Sequence, residues 1–185
     1  MSNRCEIVFS GVGGQGLISA GNVLCMSAAV FAGKQVALSS EYGIETRGTF
    51  TKSDVIISED PIYYPEIQRP RLVLALAQVA YDRYADMQES DCTLIYDSNV
   101  IVPREDAKAH QVGVPFSTAR SNEKSVPLNM VMLGFVVAME KMVSQENVKS
   151  ALEALYGERK SVYEQNYTAF RLGIELFEEV GKHEE

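Results

Sequence analysis

Ser10-Gly11-Val12-Gly13-Gly14-Gln15-Gly16-Leu17 ends one apolar run and opens a helical pattern. Upstream of it, Cys5-Glu6-Ile7-Val8-Phe9 has the β-branched and aromatic density of a short buried strand. Downstream, Leu17, Ala20, Leu24, Ala28 and Phe31 recur at the three-and-four spacing of one helix face. The glycines therefore lie at a strand-to-helix junction. A glycine-rich loop in that place allows positive φ and close backbone approach, and the unpaired N–H groups opening the next helix attract an anion. A phosphate is the natural occupant, with Gly11, Gly13, Gly14, Gln15 and Gly16 as candidate contacts.

Gly11, Gly13 and Gly16 match the G-x-G-x-x-G spacing of dinucleotide sites. That reading also asks for an acidic residue about 20 positions further on to hold a ribose hydroxyl, and Glu41 comes late. A P-loop is excluded, since no Lys-Ser or Lys-Thr follows the glycines. The bland alternative is that the glycines serve only a tight turn and close helix–sheet packing. Gly14 and the polar Gln15 at the helix start favour a ligand.

With 185 residues and 46% apolar content, the chain suits one domain, residues 1–185, with a full core. A net charge of -8 without a clustered basic face argues against nucleic-acid binding. The longest greasy run, Met130 to Met139, is about half of what a bilayer demands, so no membrane span is expected. Glu6, the glycines and Gln15 break any signal-peptide core, and the chain reads as cytoplasmic. Its three cysteines, Cys5, Cys25 and Cys92, form no C-x-x-C pair, so neither an iron–sulfur cluster nor structural zinc is expected on this chain. The two histidines, His110 and His183, have no neighbouring metal-ligand partner in sequence, and no catalytic residue stands out.

Ala32-Gly33 reads as a helix stop and Gln35 to Ser40 as a second strand, making a βαβ unit of parallel strands. The polar loop Glu41-Tyr42-Gly43-Ile44-Glu45-Thr46-Arg47-Gly48 then leaves the carboxyl end of that strand, the edge where open α/β sheets bind ligands. Arg47 offers a guanidinium to a phosphate or carboxylate, or pairs with Glu41 or Glu45 to stiffen the loop. Thr49 to Ser58 reads as a strand pair or one bent strand, Leu72 to Ala77 as a central parallel strand, Gln78 to Met87 as a short helix and Thr93 to Asp97 as a strand. Asp97 at that edge is best read as a turn cap. Gln111 to Ser117 suggests another strand and Thr118 to Ser125 a polar loop. Pro127 opens a helix that is apolar nearly all round, Ser144 caps a second, and a third carries Tyr163, Tyr167, Phe170, Ile174 and Phe177 on one face. Core packing is the simpler use of that stripe; a docking helix between subunits is the other. The fold class is α/β: a three-layer sandwich with a mainly parallel sheet, a Rossmann-like glycine loop after the first strand and a helical C-terminal part.

Taken together, these motifs resemble the gamma subunit, or gamma domain, of the 2-oxoacid:ferredoxin (acceptor) oxidoreductases. The resemblance runs through Gly11-Val12-Gly13-Gly14-Gln15-Gly16, then Tyr42-Gly43-x-Glu45-x-Arg47-Gly48, then Val55-Ile56-Ile57-Ser58 and the Leu72 to Ala77 strand. It continues weakly through Asn129 to Gly134 and the helix around Asn166. Ile44 stands where the family often has proline, and Thr49 where it has a second glycine after the Arg-Gly pair. The stretches Ser58-Glu59-Asp60-Pro61-Ile62 and Leu74-Ala75-Leu76-Ala77-Gln78 look most like the 2-oxoglutarate type, with the indolepyruvate type still open.

The resemblance implies CoA-dependent oxidative decarboxylation of a 2-oxoacid, with electrons passed to ferredoxin or a similar acceptor. The glycine loop, with Tyr42 and Arg47, would contribute to a site for coenzyme A or another nucleotide phosphate, or else to the subunit interface. Thiamine diphosphate, Mg and iron–sulfur clusters would lie on partner subunits, leaving this chain inactive alone. Two other classes compete with that reading: a stand-alone nucleotide-binding or sensor module without chemistry, and an independent NAD- or flavin-dependent oxidoreductase. The late acid and the lack of an evident catalytic cluster weaken the last.

Overall fold

A computed structural model describes residues 4–42, 49–88, 91–121 and 126–181, apart from the side chains of Tyr42 and residues 119–121. Its centre is a six-stranded sheet in the order β2-β3-β1-β4-β5-β6. The strands are β1 (Arg4–Val12), β2 (Gln35–Tyr42), β3 (Phe50–Ser58), β4 (Leu72–Ala75), β5 (Thr93–Asp97) and β6 (His110–Val114). The pairings β1 with β4, β4 with β5 and β5 with β6 are parallel, whereas β3 runs antiparallel to both β1 and β2. Helices cover both faces, as the α/β reading requires.

The strand next to β1 differs from the simple βαβ expectation. β2 shares the direction of β1, but β3 lies between them, as one unbroken nine-residue strand rather than a strand pair. The reason lies in β3 itself. Val55 and Ile57 face one layer, Ile56 the other, and all three are buried, which suits an interior position better than an edge.

One face carries α1 (Leu17–Met26), α3 (Phe116–Ser121), α4 (Leu128–Glu140), α5 (Gln145–Tyr156) and α6 (Lys160–Gly181) over Ile7, Phe9, Leu72, Leu74 and Ile95. The other carries α2 (Gln78–Tyr84) over Val8, Val73, Ala75 and Leu94. α1 passes into a π-turn, Ser27–Phe31, and closes where Gly33 takes φ 66° and the Lys34 N–H reaches the Ala28 carbonyl at 2.9 Å. Phe31 leaves the apolar stripe there and is partly exposed, because the π-turn rotates it off the buried face. α3 replaces the start of the polar loop expected from Thr118. The expected strand from Gln111 to Ser117 stops at Val114, and Phe116, buried at the start of α3, anchors that short helix.

α4 is buried from Asn129 to Val137 and is an internal helix. α5 begins in a reciprocal cap: the Asn147 N–H donates to Ser144 Oγ at 3.1 Å and the Ser144 N–H to Asn147 Oδ1 at 3.0 Å. The aromatic stripe of α6 turns inward. Phe170 and Ile174 are buried, and Phe177 meets Phe135 of α4 edge to face at 5.3 Å. Core packing is the use the structure shows for Phe170, Ile174 and Phe177, while Tyr163 and Tyr167, stacked on each other at 5.9 Å, stay half-buried.

Burial also decides thiol chemistry. Desolvation pushes Cys25 up to about 12, and burial followed by the Glu140 carboxylate does the same for Cys5. Native protein at pH 8 is expected to alkylate with iodoacetamide at least about a hundredfold more slowly than the unfolded chain. Labelling of either cysteine at the rate of a free thiol would contradict this packing.

Candidate functional site

β1 delivers the glycine loop to the carboxyl edge of the sheet. Ser10 Oγ donates to the Leu74 carbonyl at 2.6 Å and the Leu76 N–H donates to the Ser10 carbonyl at 3.0 Å, locking the end of β1 against β4. Gln15 then turns back on its own loop. Its Oε1 accepts the Val12 N–H at 2.8 Å, and its Nε2 donates to the Leu76 carbonyl at 2.9 Å. From α4, Asn129 Nδ2 donates to the Gly16 carbonyl at 2.8 Å. The loop is thus held by the end of β4 and by α4, and braced from within by Gln15.

The glycines divide into two groups by what surrounds them. A Cβ on Gly11 would lie 2.1 Å from Gln15 Oε1, and one on Gly16, at φ 75°, would lie 2.6 Å from Asn129 Nδ2. These two are required by the protein's own packing. Gly13 and Gly14 are exposed at the tip. A Cβ on Gly13 would meet only Thr51 Oγ1, at 3.9 Å, and Gly13 is not among the positive-φ residues; Gly14 has φ 93° and open space. Nothing among the described residues asks for glycine at position 13. Space kept clear there leaves the tip of the loop, with the Gly14 backbone, approachable from outside. α1 behind the loop has no side-chain cap, so its first-turn N–H groups and dipole face the same space.

The second motif reaches the same edge. Tyr42 ends β2 level with Thr51, which is itself level with Gly11, so Tyr42 stands two strands, roughly 10 Å, from the glycine loop. On the return, the Thr49 carbonyl accepts the Gly13 N–H at 3.2 Å. Both residues that flank 43–48 therefore lie at this edge, while Arg47 itself is outside the described residues. Asp97, fully buried, is the turn cap expected of it: Oδ1 accepts the Asn99 N–H at 3.1 Å and Oδ2 the Ser117 hydroxyl at 2.5 Å.

The family model for pyruvate ferredoxin/flavodoxin oxidoreductase matches residues 6–176. The chain belongs to that family. Among its relatives, the 2-oxoglutarate synthase subunit KorC of Methanocaldococcus jannaschii is 34% identical over 183 residues, covering 96% of each chain. KorC of Archaeoglobus fulgidus is 33% identical over 98% of this chain and 92% of that one. The crystal structure of a keto/oxoacid ferredoxin oxidoreductase gamma subunit from Geobacter sulfurreducens shares 35% identity, with a TM-score of 0.76 over 94% of this chain and 96% of that one. The fold also recurs in 2-oxoglutarate:ferredoxin oxidoreductase from Magnetococcus marinus, solved with 2-oxoglutarate, coenzyme A and succinyl-CoA bound. There the TM-score is 0.86 at 23% identity, over 96% of this chain and 32% of that one. The resemblance drawn from the glycine and Arg-Gly motifs is correct at the level of family and of gamma type.

Within this family member, Asn129 is the site residue that the sequence does not single out. Its only signal was its place at the head of the Asn129 to Gly134 stretch shared with the family. Gln15 carries a structural duty alongside any contact with a ligand. Gln15→Ala removes both of its bonds and leaves the Val12 N–H and Leu76 carbonyl half-buried, for an expected loss of about 1–3 kcal/mol. Thermal unfolding measures it, and an unchanged midpoint would mean the loop holds its shape without Gln15. Among the described residues no group of three His, Cys, Asp or Glu side chains is placed to hold a metal ion, and no helix is long and apolar enough to cross a membrane.

Proposed function

We propose that this chain is the gamma subunit of a 2-oxoglutarate:ferredoxin oxidoreductase. The reaction joins 2-oxoglutarate and CoA into succinyl-CoA with release of CO2, and its two electrons pass to ferredoxin. The observation that carries the proposal is the end-to-end match, in length and at about one-third identity, with subunits named for 2-oxoglutarate synthase. A chain equal in length to one subunit, and to 32% of a longer oxidoreductase chain of the same fold, is one part of such an enzyme. We read residues 1–185 as a single domain working in the cytoplasm.

The donor set fits this division of labour. Cys25 lies in one core cluster and Cys92 in the other, and the raised thiols of Cys5 and Cys25 are poor iron ligands. Thiamine diphosphate with Mg, and the iron–sulfur clusters, are accordingly assigned to partner subunits. Coenzyme A fits the edge described above, where it supplies the thiol that becomes the thioester. Gly14 offers its backbone N–H to a phosphate beside Gly13, whose own N–H is held by the Thr49 carbonyl and whose missing side chain keeps the approach open; Gly11, Gln15 and Gly16 hold the loop's shape, and Tyr42 and Arg47 complete the site from the neighbouring segment.

Arg47 gives a test that separates binding from folding. Arg47→Lys keeps the charge and loses the planar fork, so CoA affinity of the assembled enzyme is expected to fall by about 1.5–3 kcal/mol with the melting temperature unchanged. A lowered midpoint with intact affinity would assign Arg47 to loop stability instead. The functional proposal itself is tested by purifying the tagged chain from its own cells with its bound subunits and assaying a panel of 2-oxoacids. CoA-dependent oxidation fastest with 2-oxoglutarate is the expected result. Preference for pyruvate, a branched-chain 2-oxoacid or indolepyruvate would move the chain to another branch.

A further inference from the structure

β2 lies at one end of the sheet, and its outer side has no backbone partner among the described residues. Long edge strands are ordinarily blunted by proline, lysine, a bulge or a covering element, because their free N–H and C=O groups invite another strand. Gln35-Val36-Ala37-Leu38-Ser39-Ser40 contains no charge and no proline, and its register with β3 is unbroken. The opposite edge is different. β6 is five residues long, and Gln111 Nε2 donates to the Arg104 carbonyl at 3.1 Å, bringing a neighbouring segment against it.

The two flanks of β2 differ in chemistry. On the α1 side, Leu38 is 37% exposed, and the π-turn leading into β2 presents Val30 at 65% and Phe31 at 38%. On the other side, Ser39 and Glu41 line a cavity of about 270 Å³ with Lys52, Asp54 and Glu66. Three carboxylates there face one ammonium. Lys52 Nζ lies 2.6 Å from Asp54 Oδ2 and 3.8 Å from Glu41 Oε2. Asp54 is only 8% exposed, and its Oδ1 is buried with no hydrogen-bond partner among the described residues. The excess of carboxylate over ammonium in this cavity favours a cationic side chain arriving along the β2 edge.

We propose that β2 is the edge on which an extended segment of another oxidoreductase subunit adds a strand. That segment carries apolar side chains toward Val30, Phe31 and Leu38, and a lysine or arginine over Glu41 and Asp54. The inference rests on the reading of this chain as one subunit of an assembly. A second copy of the chain is a poorer occupant: each carries a net charge of -8, and two-fold pairing would add the same acidic cluster to the shared sheet twice.

Hydrogen–deuterium exchange, followed by mass spectrometry on the isolated full chain and on the complex with its subunits, tests this. Amides of 35–42 are expected to gain at least about tenfold protection in the complex, while those of 111–114 do not change. Leu38→Lys and Glu41→Lys are each expected to weaken binding to the remaining subunits at least about tenfold, with an unchanged thermal midpoint. A complex that forms while 35–42 exchanges as in the free chain overturns the docking edge and leaves the subunit reading intact. Unchanged binding in both variants does the same. Failure of any subunit to bind overturns both, and a dimer of the isolated chain protected at 35–42 replaces the partner segment with a second copy.

Discussion

Gly173→Val is expected to destabilise the protein by at least about 3 kcal/mol, lowering its melting temperature by roughly 6–12 °C. α4 and α6 cross with their backbones in close approach, and two glycines make that possible. A Cβ on Gly173 would lie 1.9 Å from the Val131 carbonyl oxygen, and one on Gly134 would lie 2.0 Å from the Phe170 carbonyl oxygen. The obstructing atoms belong to backbone inside helices, so no rotamer change relieves the clash. The helices must separate, and the edge-to-face contact between Phe135 and Phe177, 5.3 Å between ring centres, separates with them. Gly134→Ala should cost nearly as much. Gly181→Ala is the control: no heavy atom of the described residues lies within 4 Å of a Cβ there, and the change is expected to be neutral within about 0.5 kcal/mol. Thermal denaturation of the three variants decides the matter. A Gly173→Val protein melting with the wild type would mean that α4 and α6 do not meet as described.

Gly13→Asp is expected to leave the fold intact and weaken CoA binding to the assembled enzyme by about 1.5–3 kcal/mol, roughly tenfold to more than a hundredfold. The two halves of that expectation come from different observations. The fold tolerates the change because a Cβ at position 13 meets nothing closer than Thr51 Oγ1 at 3.9 Å. Binding suffers because the new carboxylate stands where phosphate oxygens would approach the loop and the uncapped start of α1. Gly16→Ala is the contrasting variant. With φ at 75° and Asn129 Nδ2 2.6 Å from the added atom, it should lose stability first. CoA titration beside thermal melting distinguishes the two classes of glycine. Unchanged affinity in folded Gly13→Asp protein would assign the loop to packing or subunit contact.

The parts of this structure that the sequence made legible are those written in local patterns. Strand β1, the glycine turn and α1 follow from an apolar run, a cluster of glycines and a helical period within some 25 residues. Pro127 and Ser144 likewise mark the helix starts that the structure shows. Strand order is not local. Nothing in Phe50 to Ser58 states that it slips between β1 and β2, since alternation and burial read the same in either direction along a sheet. The support of the glycine loop was hidden for the same reason. Asn129 reaches Gly16 across 113 positions and Gln15 reaches Leu76 across 61, distances at which sequence spacing carries no information. The stripe on α6 was readable as an apolar face, but its partner was not, because core and interface present the same side chains until the opposing surface is known. The family motifs bridged part of that gap. They joined the glycine loop to the Tyr42 to Gly48 segment before any geometry did, and the sheet register then placed the flanks of both at one edge.

The claim beneath all of this is that the chain is an obligatory subunit of a 2-oxoglutarate-oxidising enzyme, with no turnover of its own. The most direct measurement is 2-oxoglutarate- and CoA-dependent reduction of ferredoxin by the remaining subunits, assayed without this chain, with it added back, and with the chain alone. The account predicts activity only in the add-back sample, rising with added chain to a stoichiometric end point. Full activity in the subunits that lack the chain, or turnover by the chain alone, would contradict it.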